Sequence, residues 1–406
     1  MTAEAVCPSA ESPATTLDRR LLIAVFAVSN TVAYVVLIQI LPVIIDNMAD
    51  DLGVSRTAVA GASTISTLMG ALAAFPIGRL MDRHGGRMMM TAGSLIGVGA
   101  AVMWSQATSL AVLYAAFVFV GLAIAMSTYE AAFAVIVVAT DAPHRDRTIL
   151  AVTMIAGLST YLVYPALGWM NAEWGWRTTL LVLSALLLVT AVPGHLMVIP
   201  SRERHRSRVQ RRTGVPVGAA FRQRRFWLLL IAFVGQAGSV AAFLLLVISY
   251  LLSVGHSMWI ATSIPVSIGA MQILSRLALV TVLRGAALTP VACGAFAIQG
   301  LGLMLLPLAG LSVPVTLLCV SAVGIGQGVG VIARPSIIAD NFGVAHFASV
   351  LAAITVPMAL ARAASPLMGA WLGDWRFLVI CGASALVASA ALLPLLRGGR
   401  VSADSP

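Results

Sequence analysis

The chain has 406 residues, of which 60% are hydrophobic and only 10% charged, and its mean hydropathy is +0.97. Soluble domains carry roughly 25% charged residues, so this surface cannot be covered for water and lipid must be the solvent over most of it. The formal net charge of +10 does not mark a nucleic-acid binder, because nine of the 25 arginines fall between Arg202 and Arg225 and most others sit in short gaps between apolar runs; loops on one side of a membrane have that pattern.

Residues 1–20 are polar and read as a cytoplasmic tail with no cleavable leader before the first apolar run. A crossing needs about 20 apolar residues. That ruler predicts segments near 21–42, 57–77, 88–107, 110–138, 149–171, 177–198, 226–252, 258–282, 288–309, 314–338, 347–371 and 377–396. Arginine bias sets the orientation. Arg19, Arg20, the 79–87 loop, Arg145, Arg147, the central stretch, Arg284, Arg397 and Arg400 fall on one side, with Arg56, Arg177 and Arg376 opposite, beside Asp50, Asp51, Glu173 and Asp374. Both termini are therefore expected inside, at an inner (plasma) membrane.

The expected organisation is an all-α, multi-pass protein of twelve transmembrane helices. It comprises tail 1–20, an N-terminal six-helix bundle 21–198, a basic cytoplasmic linker 199–225, a C-terminal six-helix bundle 226–396 and tail 397–406. The halves look duplicated. Pro165 and Pro366 lie 201 residues apart, each followed by Ala-Leu-Gly or Leu-Met-Gly and then Trp-Arg at 176–177 and 375–376; Val120-Gly121 matches Val323-Gly324. Parallel repeats with a mid-membrane site at their interface are a transporter architecture.

The turn after the second segment reads Gly78-Arg-Leu-Met-Asp82-Arg83-His-Gly85-Gly86-Arg87. It resembles the signature of the major facilitator superfamily between helices two and three. Gly78, Leu80, Asp82, Arg83, Gly85 and Arg87 match, whereas Met81 stands where a small residue is usual and Gly86 where an arginine is usual. The resemblance runs from about residue 20 to 396 and implies a secondary transporter with two pseudo-symmetric bundles. It further implies that Asp82 latches helix ends when the pore faces outward, with Gly78, Arg83, Gly85 and Arg87 as parts of that gate. Gly175-Trp176-Arg177, Ala339-Asp340-Asn341-Phe342-Gly343 and Arg276 resemble the oxalate–formate and monocarboxylate branch.

Ionisable residues within spans cost roughly 2.5–3.5 kcal/mol each on insertion scales and are functional candidates. Four stand out: Glu130, Arg276, Arg334 and Arg362. One acid cannot neutralise three arginines, so the surplus calls for an anion. Arg276 is expected to hold it with Arg362 assisting, and Tyr34, Asn30 and Gln272 to line the cavity; Asn30 and Tyr34, four apart, share a helix face. Interhelical hydrogen bonding is the competing role for such polar residues. Glu130 reads as a proton-coupling site, as a salt-bridge partner of Arg334, or both; Arg334 is a gate candidate that also lies near enough to the membrane edge to snorkel.

The four cysteines are isolated, so no metal and no disulfide is expected. The run Gly324-x-Gly326-x-Gly328-x-Gly330 reads as close helix packing rather than a nucleotide loop, and no cofactor is expected. Neither nucleic acid nor an obligate protein partner is expected; a small anion, protons and membrane lipid are. The sequence therefore predicts a secondary active transporter moving a small organic anion, a carboxylate, by alternating access, with proton coupling or exchange. A proton-driven efflux pump for drugs or metabolites on the same fold is the alternative. An enzyme is disfavoured, since the six histidines are scattered singly.

Overall fold

The computed structural model describes residues 13–210, 213–283, 286–372 and 375–396. The tail 1–12, Arg211, Arg212, Arg284, Asp374 and residues 397–406 lie outside the described residues. Among the described residues, eleven helices are long and apolar enough to cross a membrane. They are α1 (Arg19–Leu52), α2 (Arg56–His84), α3 (Gly86–Ser105), α4 (Leu110–Ala139), one counted within Val163–Val198, α7 (Arg224–Val254), α8 (Met258–Leu279), α9 (Leu288–Leu308), α10 (Val313–Phe342), α11 (Phe347–Leu372) and α12 (Arg376–Leu396).

The segment Ala142–Val198 is a run of 57 helical residues, roughly 86 Å if straight and far more than one crossing needs. It is not straight. Gly175 has φ 73° and ψ 164° inside it, a conformation that a Cβ would penalise, and it divides α5 (142–174) from α6 (176–198). The chain reverses there. Arg145 near the start of α5 meets Asp340 at the end of α10, Arg177 at the start of α6 meets Asp51 at the end of α1, and His195 lies back between Ser29 and Ser94. Two crossings therefore share this stretch.

Arg177 holds that reversal. Its guanidinium donates to the carbonyls of Ser105 and Ala107, both at 2.9 Å, reaches Asp51 at 2.7 Å and stacks 4.2 Å over the Trp176 ring. The charge pair is partly exposed and weak on its own. The larger contribution comes from the two carbonyls at the end of α3, which the helix itself leaves without a donor.

The repeat seen in the sequence is a repeat of packing. A Cβ added at Gly121 of α4 would lie 2.9 Å from Met69 Cβ on α2, and one at Gly324 of α10 would lie 2.9 Å from Met271 Cβ on α8. In the glycine run, Gly324 and Gly328 face α8, whereas Gly326 and Gly330 face Gln299 and Phe296 of α9. One helix thus approaches two neighbours closely, each through a small-xxx-small face.

The apolar interior divides unevenly. Next to the linker a single cluster joins the halves, with Phe26, Met81, Phe133 and Ile149 packed in the same core as Phe226, Phe296, Ile337 and Leu351. Toward the other face there are two separate cores. One belongs to the first half (Ile40, Ile44, Trp104, Phe117, Leu180) and one to the second (Phe243, Val247, Leu303, Phe377). The outer surface is apolar, as lipid contact requires: Leu72, Leu308 and Trp371 are among its large exposed side chains.

The linker is tied to both halves. On its helix Arg202–Gln210, the buried His205 ring sits against Gly85 with Nε2 3.2 Å from the Asp82 carbonyl. Burial pushes that imidazole below its ordinary pKa, so the neutral ring, with Nε2–H as donor, is the form that fits. Further on, Val215 N donates to Phe342 O at 2.8 Å and Val344 N to Thr213 O at 3.1 Å, pairing Gly214 with Gly343.

Replacing Arg177 with Ala should lower stability by about 2 kcal/mol, since a charged donor serving buried carbonyls is lost. The unfolding midpoint of detergent-purified protein checks it. Arg177→Lys should recover only part, because an ammonium cannot span both carbonyls and the carboxylate with a planar fork.

Candidate functional site

A cavity of about 420 Å³ lies on the seam between the halves. α1, α2 and α4 form one wall and α8, α10 and α11 the other. Its linker-side floor is buried at Gly78, Met81 and Ala348, whereas Ser63 and Thr67, several turns back along α2, are exposed. The cavity therefore opens away from the linker, between the two separate cores.

Two departures from regular helix shape its first wall. In α1, Ile40 N donates to Val35 O at 3.0 Å, five residues back, giving the π turn Val35–Gln39. Pro42 cannot donate to the carbonyl four residues before it, which leaves the ladder free to widen here. That turn presents Tyr34, Leu37, Ile38 and Leu41 to the lumen. In α4, expected as a single segment near 110–138, Thr128 has φ −102° and ψ −159° and separates Leu110–Ser127 from Tyr129–Ala139. Glu130 thereby sits in the first turn of the second piece, where a carboxylate is favoured by the helix dipole.

Glu130 Oε1 accepts from Arg334 Nη2 at 2.5 Å, joining α4 of one half to α10 of the other. Arg334 also directs Nη1 at Met358 Sδ, 3.4 Å away. The pair is not saturated: Glu130 Oε2 and Arg334 Nε are buried and lack a hydrogen-bond partner among the described residues. The salt-bridge reading of Glu130 is thus the geometry found, and snorkelling of Arg334 is not, since its side chain is only 8% exposed.

Arg362 of α11 opens into the lumen, within electrostatic reach of Arg334, Glu130 and Tyr34. Among the described residues it makes no hydrogen bond or ion pair. Arg276 is different. It also borders the cavity, but it is buried, and its Nη1 donates to Thr153 O of α5 at 3.0 Å while Nε points at Gly328 O at 3.5 Å.

Tyr34 lines the cavity and packs against Tyr129 with ring centroids 4.9 Å apart; Tyr129 in turn stacks on Phe133 at 5.5 Å. Asn30 and Gln272 sit elsewhere. Asn30 is fully buried and donates to Phe26 O at 2.9 Å, and Gln272 donates to Gln327 at 2.9 Å between α8 and α10. Neither borders the cavity.

The gate motif closes the linker face. Asp82 caps the N-terminus of α11, accepting from Ala348 N at 3.1 Å, Ser349 N at 2.9 Å and the Ser349 hydroxyl. Its partners are a helix end and a hydroxyl rather than the arginines of its own turn. Gly78 permits the close approach of α2 to α11, since a Cβ there would lie 2.6 Å from Ala348 O. Gly85 makes the turn with φ 81°. Arg83 is exposed and Arg87 half-buried, and neither has a partner among the described residues.

A second closure lies beyond what the sequence predicts. Arg145, buried at the start of α5, pairs with Asp340 at 2.5 Å, and Asp146 accepts from the Ser336 hydroxyl at 2.5 Å. In the sequence Arg145 speaks only to topology and Asp340 only to a branch motif. The available signal is scarcity: with 15 acids in the whole chain, an acid beside a span is a pairing candidate. His205 carries no comparable signal.

Asp82→Asn keeps the shape and removes the charge that the α11 dipole holds. A cysteine placed at Met81 in a cysteine-free background should then react several-fold faster with a membrane-impermeant maleimide from the linker side. Unchanged labelling would reduce Asp82 to a cap with no part in closure.

A family model described as the Major Facilitator Superfamily matches residues 21–366. Among solved structures, the fucose:proton symporter of E. coli is similar with a TM-score of 0.72 at 14% identity, over 95% of this chain and 99% of that one. The human organic anion transporter MFSD10 is similar with a TM-score of 0.65 at 16% identity, over 94% and 99%. No curated protein matches the sequence at a significant level. At these identities the two structures testify to the fold, while the family model spans most of the chain. Together with the crossings, the repeated packing and the closed gate, the match makes this multi-pass membrane protein a secondary transporter: the chain belongs to the major facilitator superfamily.

Proposed function

We propose that this transporter moves a small organic anion, a carboxylate, across the inner membrane by alternating access, with the termini and the 199–225 linker in the cytoplasm. The arginine bias of the loops supports the orientation. The observation that carries the cargo reading is Arg362. A guanidinium in a low-dielectric cavity does not shed its proton and is unfavourable without a counter-charge, and Glu130, which could have supplied one, is already engaged by Arg334.

The cycle starts from the outward-open form. A carboxylate enters and forms two parallel hydrogen bonds with the planar Arg362 fork. Neutralising that charge favours closure of the open side. Opening the linker side then requires release of Asp82, Arg145 and Glu130 from their partners in the second half. Proton coupling is assigned to Glu130: a proton on its carboxyl removes the charge that holds Arg334 and so weakens the seam at the level of the cavity. Arg276 assists from the edge of the site, holding α8 to α5 while the linker side is shut. The oxalate–formate resemblance and the likeness in fold to MFSD10, an organic anion transporter, agree with this reading.

In reconstituted vesicles, Arg362→Gln should nearly abolish uptake of labelled carboxylates, and Arg362→Lys should weaken it about tenfold, since charge is kept but the fork is lost. Uptake of cations alone would overturn the anion reading in favour of drug efflux.

Glu130→Gln separates coupling from binding. It should eliminate uptake driven by a pH gradient yet leave exchange between identical substrates running. Equal loss of both modes would make Glu130 a structural partner of Arg334 and nothing more.

A further inference from the structure

Resting on the anion reading above, we infer that the cavity selects a monoanion with a flat apolar body, an aromatic monocarboxylate, and rejects short dicarboxylates. Two of the three guanidiniums that border the cavity are already committed. Arg334 is joined to Glu130, and Arg276 is turned toward the carbonyls of Thr153 and Gly328. Cargo binding to Arg276 must compete with those carbonyls. Arg362 alone of the three opens to the lumen with no bond to break among the described residues.

Three arginines border the space: Arg276, Arg334 and Arg362. Arg276 is in electrostatic reach of Tyr129, and Arg362 in reach of Tyr34, with the two rings in contact at 4.9 Å. Arg334 is joined to Glu130, so a short dianion seated on Arg362 places its second carboxylate on aromatic surface or beside a pair with no surplus positive charge, where Glu130 Oε2 already lacks a donor. An unpaired carboxylate in such a place is strongly unfavourable.

The rest of the wall suits an apolar body. Leu37 and Ile38 from the π turn and Phe117 from α4 border the same space as Tyr34. A flat ring stacks on Tyr34 at little entropic cost, with its carboxylate toward Arg362. A volume of about 420 Å³ is within the range of pockets for ligands of this kind.

The test is thermal stabilisation of the purified full-length protein by benzoate, acetate, succinate, glutarate and benzylammonium, each at matched ionic strength. Benzoate should stabilise at concentrations about tenfold below acetate, succinate and glutarate, and benzylammonium should have no effect. Tyr34→Ala should remove the advantage of benzoate over acetate, while Tyr34→Phe keeps it, and the midpoint of each variant without ligand reports whether it is folded. Arg362→Gln should remove the response to every carboxylate. Succinate or glutarate matching benzoate, an advantage that survives Tyr34→Ala, or no response to benzoate at all overturns this inference. The first two of these leave the anion reading standing; stabilisation by benzylammonium with none by any anion overturns that reading as well.

Discussion

An arginine inside a bilayer keeps its proton and calls for an acceptor, and for three arginines of this protein the acceptor lies across the seam. Arg334 of the second half is met by Glu130 of the first, Arg276 by the Thr153 carbonyl, and Arg145 of the first half by Asp340 of the second. Charges that would destabilise either half alone are used to hold the halves together. The same arrangement makes the joint reversible, because a proton can neutralise the two carboxylates and a competing anion can displace the carbonyl.

Apolar packing follows the same division. One core crosses the seam near the linker, and two cores stand apart toward the opposite face. Hydrophobic contact scales with area and tolerates sliding, whereas the polar bonds of the seam require particular partners. In the proposed cycle, rocking about the cavity trades shared apolar area on one face for new contact on the other, with the polar bonds deciding which face is shut. Asp82 fits this role because a helix N-terminus is a fixed donor set.

Much of this is legible in the sequence. Crossings follow from runs of apolar residues, and the paired glycines at 121 and 324 do in the structure what their matching positions imply. The α5–α6 reversal is marked by Gly175 ahead of Trp176 and Arg177. What a sequence cannot display are partners that carry no side-chain signature. Arg276 is visible as a buried charge, but its acceptors are backbone carbonyls, which every residue has. Asn30 shares a face with Tyr34, yet the widened turn that follows Tyr34 carries that residue's neighbours to the lumen and leaves Asn30 bonded to Phe26. The break at Thr128 is hidden for a similar reason: a threonine in an apolar run carries no clear breaker signal, and its hydroxyl satisfies the Ile124 carbonyl locally.

The backbone pairing of Gly214 with Gly343 gives the connecting chain a mechanical character of its own. A free tether would hold the halves at any separation its length allows. Here the chain is pinned twice, at His205 against the α2–α3 turn and at Thr213–Val215 against the α10–α11 turn, so only the few residues between those pins span from one half to the other. At the Cα spacing of an extended chain, about 3.3 Å per residue, that short span fixes an upper limit on how far the two turns can part before one pin is pulled loose. The linker-side gape of the transporter is thus bounded by chain length, and a linker elongated between residues 205 and 213 would be a longer leash on the same gate.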